Sequence, residues 1–399
     1  MKLGGKPSGW NPFFVYILGF SMPLLVYQLG WSNIFPKISF GLVLFLSLTC
    51  LYSFLVGCHV YNKKLIVYRD ISYDKNISII AVLIVAGFFL EFLYVGHIPL
   101  LSILLGKGSD YETFGIKSFH VFLVTFGSFY TVYIFHVFLS IKKKKCLAIC
   151  ILLLVMPLLF CSRGTFLLNL SSCLFVYLLS IRKLYFKVVV VLVLLTLPLL
   201  YLFGIAGNVR VMRQAGRIKN ITSSDIILKA GSAKGGFRES IIPKEYFWAY
   251  LYISSPLANL QKTIAESDSA DLTFGGLLSF INFEILPDFV SKRISKFLEV
   301  EGIGIKRIAP ALGVGTVYAG SYVYLNWLGL VLMFSYAIFA SFVYIILLKK
   351  DSTYFVTGIA ILNTLVLFSM FSNMFSFSGV SFQLAYPLVF FLFRKKNAI

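Results

Sequence analysis

The sequence predicts an all-α polytopic integral membrane protein with about ten transmembrane helices and one large outer loop carrying interfacial helices. Three observations predict it. Apolar residues make up 59% of the chain against 13% charged, mean hydropathy is +0.87, and apolar runs recur at close to the length that crosses a bilayer. A water-soluble domain is about a quarter charged, so that class is excluded.

About 20 apolar residues in helix span roughly 30 Å of hydrocarbon. On that criterion spans fall at about 12–31, 38–61, 77–96, 118–140, 146–162, 164–181, 188–206, 322–348, 354–373 and 377–393. They divide the chain into an N-terminal bundle of seven helices (1–206), a large loop (207–321) and three C-terminal helices (322–399). The first run is too long for the apolar core of a cleaved signal and has no small-residue cleavage site after it, so it is expected to stay as a membrane helix.

The short basic runs Lys63 to Lys75, Lys142 to Lys145, Arg182 to Lys187, Lys349-Lys350 and Arg394 to Lys396 each follow an even-numbered span. With Lys2 and Lys6 they hold eighteen positive charges on one side. Short loops rich in Lys and Arg stay in the cytoplasm, so both termini are expected inside and the large loop outside. The +20 net charge therefore reports orientation. It is scattered over separate turns and forms no single stripe, which argues against nucleic acid as a partner.

Six cysteines (Cys50, Cys58, Cys146, Cys150, Cys161, Cys173) lie in or beside the spans and none in the large loop, so no disulfide framework is expected. The four histidines (His59, His97, His120, His136) are dispersed, and no Cys or His cluster has the spacing of a zinc site.

Function is expected to reside in the large loop. It carries fourteen basic residues and ten acidic ones, a balance suited to handling an anion with carboxylates in reserve as bases. Two apolar stretches in it, Tyr246 to Ile253 and Phe274 to Leu286, are expected to lie on the bilayer surface. Arg210, Arg213 and Arg217 follow the seventh span and, at about 100° per residue, project within about 60° of one another on one helix face. Two readings of this stripe stay open. Guanidinium forks bind phosphate oxygens bidentately, and a basic stripe also anchors a protein on anionic lipid.

Arg163 sits at the tip of the hairpin formed by spans five and six, which is short for two full crossings, so the tip is expected at or just below the outer surface. Glu91, near the outer end of span three, is an acid within the membrane and a functional candidate on that ground.

Several short motifs together resemble the O-antigen polymerases of the Wzy-dependent pathway, the oligosaccharide repeat-unit polymerases of bacterial inner membranes. They are Gly96-His97-Ile98-Pro99-Leu100-Leu101, Phe114-Gly115-Ile116 with His120, Ser162-Arg163-Gly164-Thr165-Phe166-Leu167, and Tyr252-Ile253-Ser254-Ser255-Pro256-Leu257-Ala258-Asn259-Leu260. The likeness covers roughly residues 77–345. It departs from the family at Asn326-Trp327-Leu328-Gly329, where relatives often have an acid. An Arg followed by Gly eleven positions later, reported for some polymerase loops, fits only as Arg293 and Gly304.

The resemblance implies transfer of a growing glycan from undecaprenyl pyrophosphate to the non-reducing end of a new lipid-linked repeat unit, on the periplasmic face of the inner membrane. The implied partners are undecaprenyl-pyrophosphate-linked oligosaccharides, membrane lipids and a chain-length regulator protein. The candidate binding set is Arg163, Arg210, Arg213, Arg217, Arg238, Arg293, His97, His120, Tyr252 and Asn259. A base for the attacking hydroxyl is sought among Glu239, Asp268, Asp271 and Glu284, because the loop has no histidine. With no Asp-x-Asp motif, the expectation is a metal-independent glycosyltransferase without a cofactor, in which guanidinium groups stabilise the leaving pyrophosphate.

Two alternatives stay in view. An O-antigen ligase shares the large loop and an Arg-x-x-x-Leu pattern that Arg163 and Leu167 satisfy, but such ligases carry a functional loop histidine. A lipid-linked oligosaccharide flippase would show charges inside the bundle, internal repeats and short loops; the sequence has no internal repeat, and its long outer loop argues for chemistry outside.

Overall fold

A computed structural model describes residues 6–72, 76–105, 114–181, 186–214, 222–267 and 273–396. The chain is mostly helical. In order, the helices are α1 (Pro12–Gln28), α2 (Phe40–Asn62), α3 (Ile77–Val95), α4 (Pro99–Leu104), α5 (Phe119–Ile141), α6 (Lys144–Leu159), α7 (Arg163–Ser180), α8 (Phe186–Gln214), α9 (Asp225–Ala230), α10 (Gly235–Arg238) and α11 (Tyr246–Glu266). After these come α12 (Phe274–Phe280), α13 (Asp288–Leu298), α14 (Val317–Leu347), α15 (Phe355–Phe368), α16 (Ser378–Ser381) and α17 (Ala385–Lys396). Each of the ten apolar runs falls on helix. Among the described residues five helices, α2, α3, α5, α7 and α14, are long and apolar enough to cross a membrane, whereas α1 and α15 are shorter apolar helices. This is a membrane protein by the character of its helices.

Local sequence sets several helix ends. Asn11 caps α1, its Oδ1 accepting from the Phe13 and Phe14 N–H groups at 3.1 Å each, with Pro12 in the first turn where a missing N–H costs nothing. Gly96 ends α3 in the left-handed conformation, φ 80°, which glycine adopts without a Cβ penalty. α14 is interrupted at Leu325 and Asn326, whose φ/ψ values are non-helical. The break coincides with Asn326-Trp327-Leu328-Gly329, and a side chain at Gly329 would collide with the Ser321 carbonyl.

Loops gather at the two ends of the bundle. At one end Lys6–Pro7 (β1) pairs antiparallel with Val67–Tyr68 (β2), Arg69 meets Asp351, and the Ile71 N–H donates to Ser140 Oγ at 3.1 Å. At the other end residues 31–39 are clasped to the large loop. Ser32 bridges to Ala233, Ser32 Oγ donates to the Gly231 carbonyl at 2.6 Å, and the Ser39 N–H donates to Gln261 Oε1 at 2.7 Å. Trp31 stacks on Phe237 with centroids 4.3 Å apart and Phe35 on Tyr250 at 5.2 Å.

That clasp revises the expectation for Tyr246 to Ile253. The stretch opens α11, whose Phe247, Trp248, Tyr250 and Leu251 are buried. Helix α11 packs on α1, α8 and α14, so its aromatics cover protein instead of lying on a bilayer surface. Gly204 and Gly207 permit the close approach of α8, because a Cβ at either would strike Glu245 or the Trp248 ring. Phe274 to Leu286 does expose apolar surface, with Phe274 at 75% and Leu278 at 51%.

Candidate functional site

Three clusters of chemistry-bearing side chains form at the clasped end of the bundle. The first joins α3, the start of α5 and the α6–α7 turn. Glu91 on α3 is fully buried. Its Oε2 lies 2.8 Å from His120 Nδ1 and its Oε1 accepts the Ile116 N–H at 3.2 Å. Nδ1 is thus the imidazole nitrogen turned toward the acid. Gly115 makes the approach possible: its φ is 95°, and a Cβ there would come 2.7 Å from His120 Nδ1 and 2.9 Å from Glu91 Oε1. Phe114 lies parallel to Phe160, centroids 5.9 Å apart, and the imidazole stands edge-on to both rings. The segment Phe114 to His120 is thus a clip that closes on a buried acid.

Arg163 begins α7 three residues after Phe160. The turn is set by Cys161 at φ 62° and by Ser162 Oγ and Thr165 Oγ1, 2.8 Å apart. Arg163 is exposed and takes part in no ion pair among the described residues. His97 is exposed just beyond the end of α3.

The second cluster is built around Glu284. It lies in Ile281–Ile285, a single π-helical turn between α12 and α13, a conformation often found at functional sites. Asn373 donates from Nδ2 to the Glu284 carbonyl at 2.6 Å and to Oε2 at 3.0 Å. The carboxylate rests over Gly320 of α14, where any side chain would overlap it, and Phe283 beside it stacks on Tyr324 with centroids 5.6 Å apart. Burial raises the Glu284 carboxyl to about 7, although the Asn373 amide pulls it down. At neutral pH this group therefore both accepts and releases a proton. Nearby, Asp288 Oδ1 accepts from the Ser378 N–H and Oγ, tying α13 to α16. Below it Pro287, Phe289, Tyr336, Tyr344, Phe375 and Phe382 line an apolar cavity of about 420 Å³.

The third cluster is the wall made by α8 and α11. Arg210 lies over the Trp248 ring, 5.8 Å from its centroid. Trp248 Nε1 donates to Asn208 Oδ1 at 2.7 Å, and Tyr252 meets Phe203 edge-on at 5.2 Å. Helix α8 continues through Arg213, as the stripe requires, but the Arg213 side chain lies outside the described residues, as do Arg217, Asp268 and Asp271.

The remaining candidates sit elsewhere. Arg238 donates from Nε to the Ala233 carbonyl and from Nη2 to the Leu228 carbonyl, both at 2.9 Å, closing the end of α9. Asn259 is buried with both ends of its amide engaged by the chain: Nδ2 donates to the Leu312 and Val314 carbonyls at 2.7 Å and Oδ1 accepts the Ile308 N–H at 2.8 Å. It fastens the segment before α14 onto α11. Glu239 is exposed at the end of α10, and exposed Arg293 lies over Phe289 on α13.

The first two clusters are linked through rings. Phe122, two residues past His120, meets Phe382 at 5.4 Å, and Phe382 meets Phe289 at 5.9 Å. Sequence reasoning missed Asn373, Gly320 and Asp288. A lone acid inside the apolar run Phe274 to Leu286 was a usable signal for Glu284, whereas nothing in the sequence paired it with a residue 89 positions away. No protein-family model, curated protein or solved structure matches the chain.

Proposed function

We propose that the protein is a membrane-embedded glycosyltransferase that polymerises oligosaccharide repeat units carried on undecaprenyl pyrophosphate, working at the outer ends of about ten spans with the large loop periplasmic. The observation that carries this reading is Glu284, a carboxylate held out of water with a proton affinity near neutrality, at the same end of the bundle as the exposed guanidinium groups of Arg163 and Arg210. Support for the topology comes from the loops: predicted outer segments touch predicted outer segments, and predicted inner ones touch inner ones.

In the proposed step the acceptor hydroxyl oxygen attacks the anomeric carbon of the lipid-linked glycan. The bond from that carbon to the pyrophosphate oxygen breaks with its electron pair going to pyrophosphate, and the hydroxyl proton passes to Glu284. Guanidinium groups are suited to the charge that grows on the leaving group, because they stay ionised and donate in pairs. A base is most effective when its pKa lies near the working pH, which distinguishes Glu284 from exposed Glu239.

Deleting the gene in a host that makes O-antigen tests the reading on one lipopolysaccharide gel. A polymerase leaves core capped with a single repeat unit. Uncapped core with polymer held on the carrier identifies a ligase, and repeat units trapped on the cytoplasmic face identify a flippase. Either of those patterns overturns the proposal.

A further inference from the structure

Helix α13 has a free face whose chemistry is distinct from the clusters above. Its inner edge is fixed: Ser291 is buried, Asn282 Nδ2 donates to Ser295 Oγ at 2.8 Å, and the Asp288 N–H donates to the Ser376 carbonyl at 2.8 Å. At about 100° per residue, Lys292, Arg293 and Lys296 fall within about 100° of one another, and all three are exposed. Phe297 emerges beside them at 85% exposure, and Leu298 is bare at the helix end at 58%. On the preceding element Phe274, Leu278 and Ile281 also lie bare, at 75%, 51% and 40%. The elbow α12–α13 therefore presents an apolar arm, then a helix with a basic flank and aromatic tips. A helix with cations on one side and large apolar groups on the other settles in the plane of a membrane interface.

We propose that α13 docks on anionic phospholipid headgroups, with α12 entering the acyl boundary, and that this contact sets the depth of the π-turn between them. Charge complementarity selects the occupant: three cations are strung along one flank of an 11-residue helix. Lys292 lies 3.9 Å from the first-turn acid Asp288, which also accepts from Ser378, while Arg293 and Lys296 form no ion pair among the described residues. Such a flank matches a plane of phosphates. The inference stands apart from the glycosyltransferase reading, although it would hold Glu284 at headgroup level.

The test is amide hydrogen exchange on the full-length protein in nanodiscs of phosphatidylcholine alone or with one-third phosphatidylglycerol. Anionic lipid is expected to slow exchange in 288–298 on the order of tenfold and to leave α11 unchanged. Charge reversal at Lys292, Arg293 and Lys296 together should abolish the difference, with unchanged α11 exchange certifying the fold. Equal exchange in the two lipids overturns the proposal. So does protection produced in phosphatidylcholine discs by inorganic phosphate, which would mark a soluble-anion site. None of these readouts involves glycan transfer, so the inference and the proposed activity fail separately.

Discussion

Glu91 Oε2 meets His120 Nδ1 at 2.8 Å, with the acid wholly enclosed between α3 and the segment that leads into α5. Removing one partner of a buried pair strands the other, at a cost of roughly 3–5 kcal/mol. Glu91→Ala should therefore lower the midpoint of thermal unfolding in detergent far more than Glu91→Gln, which keeps an acceptor for the Ile116 N–H. A double-mutant cycle with His120→Gln should give a coupling of about 0.5–3 kcal/mol. Additive single effects would mean that the contact contributes nothing.

Glu284 makes a prediction with opposite signs for stability and activity. Its carboxyl sits at about 7 in the fold against an ordinary 4.5, so the folded state holds the proton more tightly than the unfolded one. Stability from this group is intact below about pH 4.5 and is lost as pH rises through 7, by on the order of 3 kcal/mol. Glu284→Gln should thus melt higher than wild type at pH 8 and close to it at pH 5, while chain extension disappears. In the wild type, extension should rise as pH passes through about 7, because the base works when deprotonated.

Arg163 and Arg210 are expected to act on the leaving group. Arg163→Ala and Arg210→Ala should each leave lipopolysaccharide capped with a single repeat at normal protein levels, with a rate loss of about 10²–10³. Lysine at 163 should restore part of the ladder, since it keeps the charge and loses the planar fork. A full ladder from either alanine variant removes that arginine from the site.

Asn259→Ala should release the segment it fastens, because three partly buried hydrogen bonds to the main chain disappear together. The expected loss is about 2–3 kcal/mol, and limited proteolysis should show new cleavage between residues 300 and 316. Resistance equal to wild type would mean that other contacts hold the segment.

The apolar runs were legible because crossing a bilayer demands length and composition that no other element needs, and each run falls on helix. Helix α11 was misread for a physical reason: Tyr246 to Ile253 looks the same whether its rings face lipid or the rings of Trp31 and Phe35, and the partner lies some 200 residues earlier. Asn259 belonged to a motif that the structure explains by packing, since a buried amide that ties down a loop leaves the same mark in a sequence as one that touches substrate. Glu91 was visible as an acid in an apolar run, but its pairing with His120 depends on the left-handed turn at Gly115, a backbone property that a lone glycine does not announce. Among four loop carboxylates the sequence offered no ranking. Burial over Gly320 sets Glu284 apart from exposed Glu239.

The clasp of Ser32 on Gly231 spans 199 positions and that of Ser39 on Gln261 spans 222. A ribosome adding 5–20 residues per second takes roughly 10–40 s to cover such an interval. Throughout that time Trp31 and Phe35 have emerged without the rings that later cover them, so the nascent chain is expected to hold its first hairpin open, within reach of insertion factors, until α8 and the loop behind it arrive. Splitting the gene within the basic run Arg182 to Lys187 and expressing both fragments together should yield assembled protein, with the first fragment alone degraded.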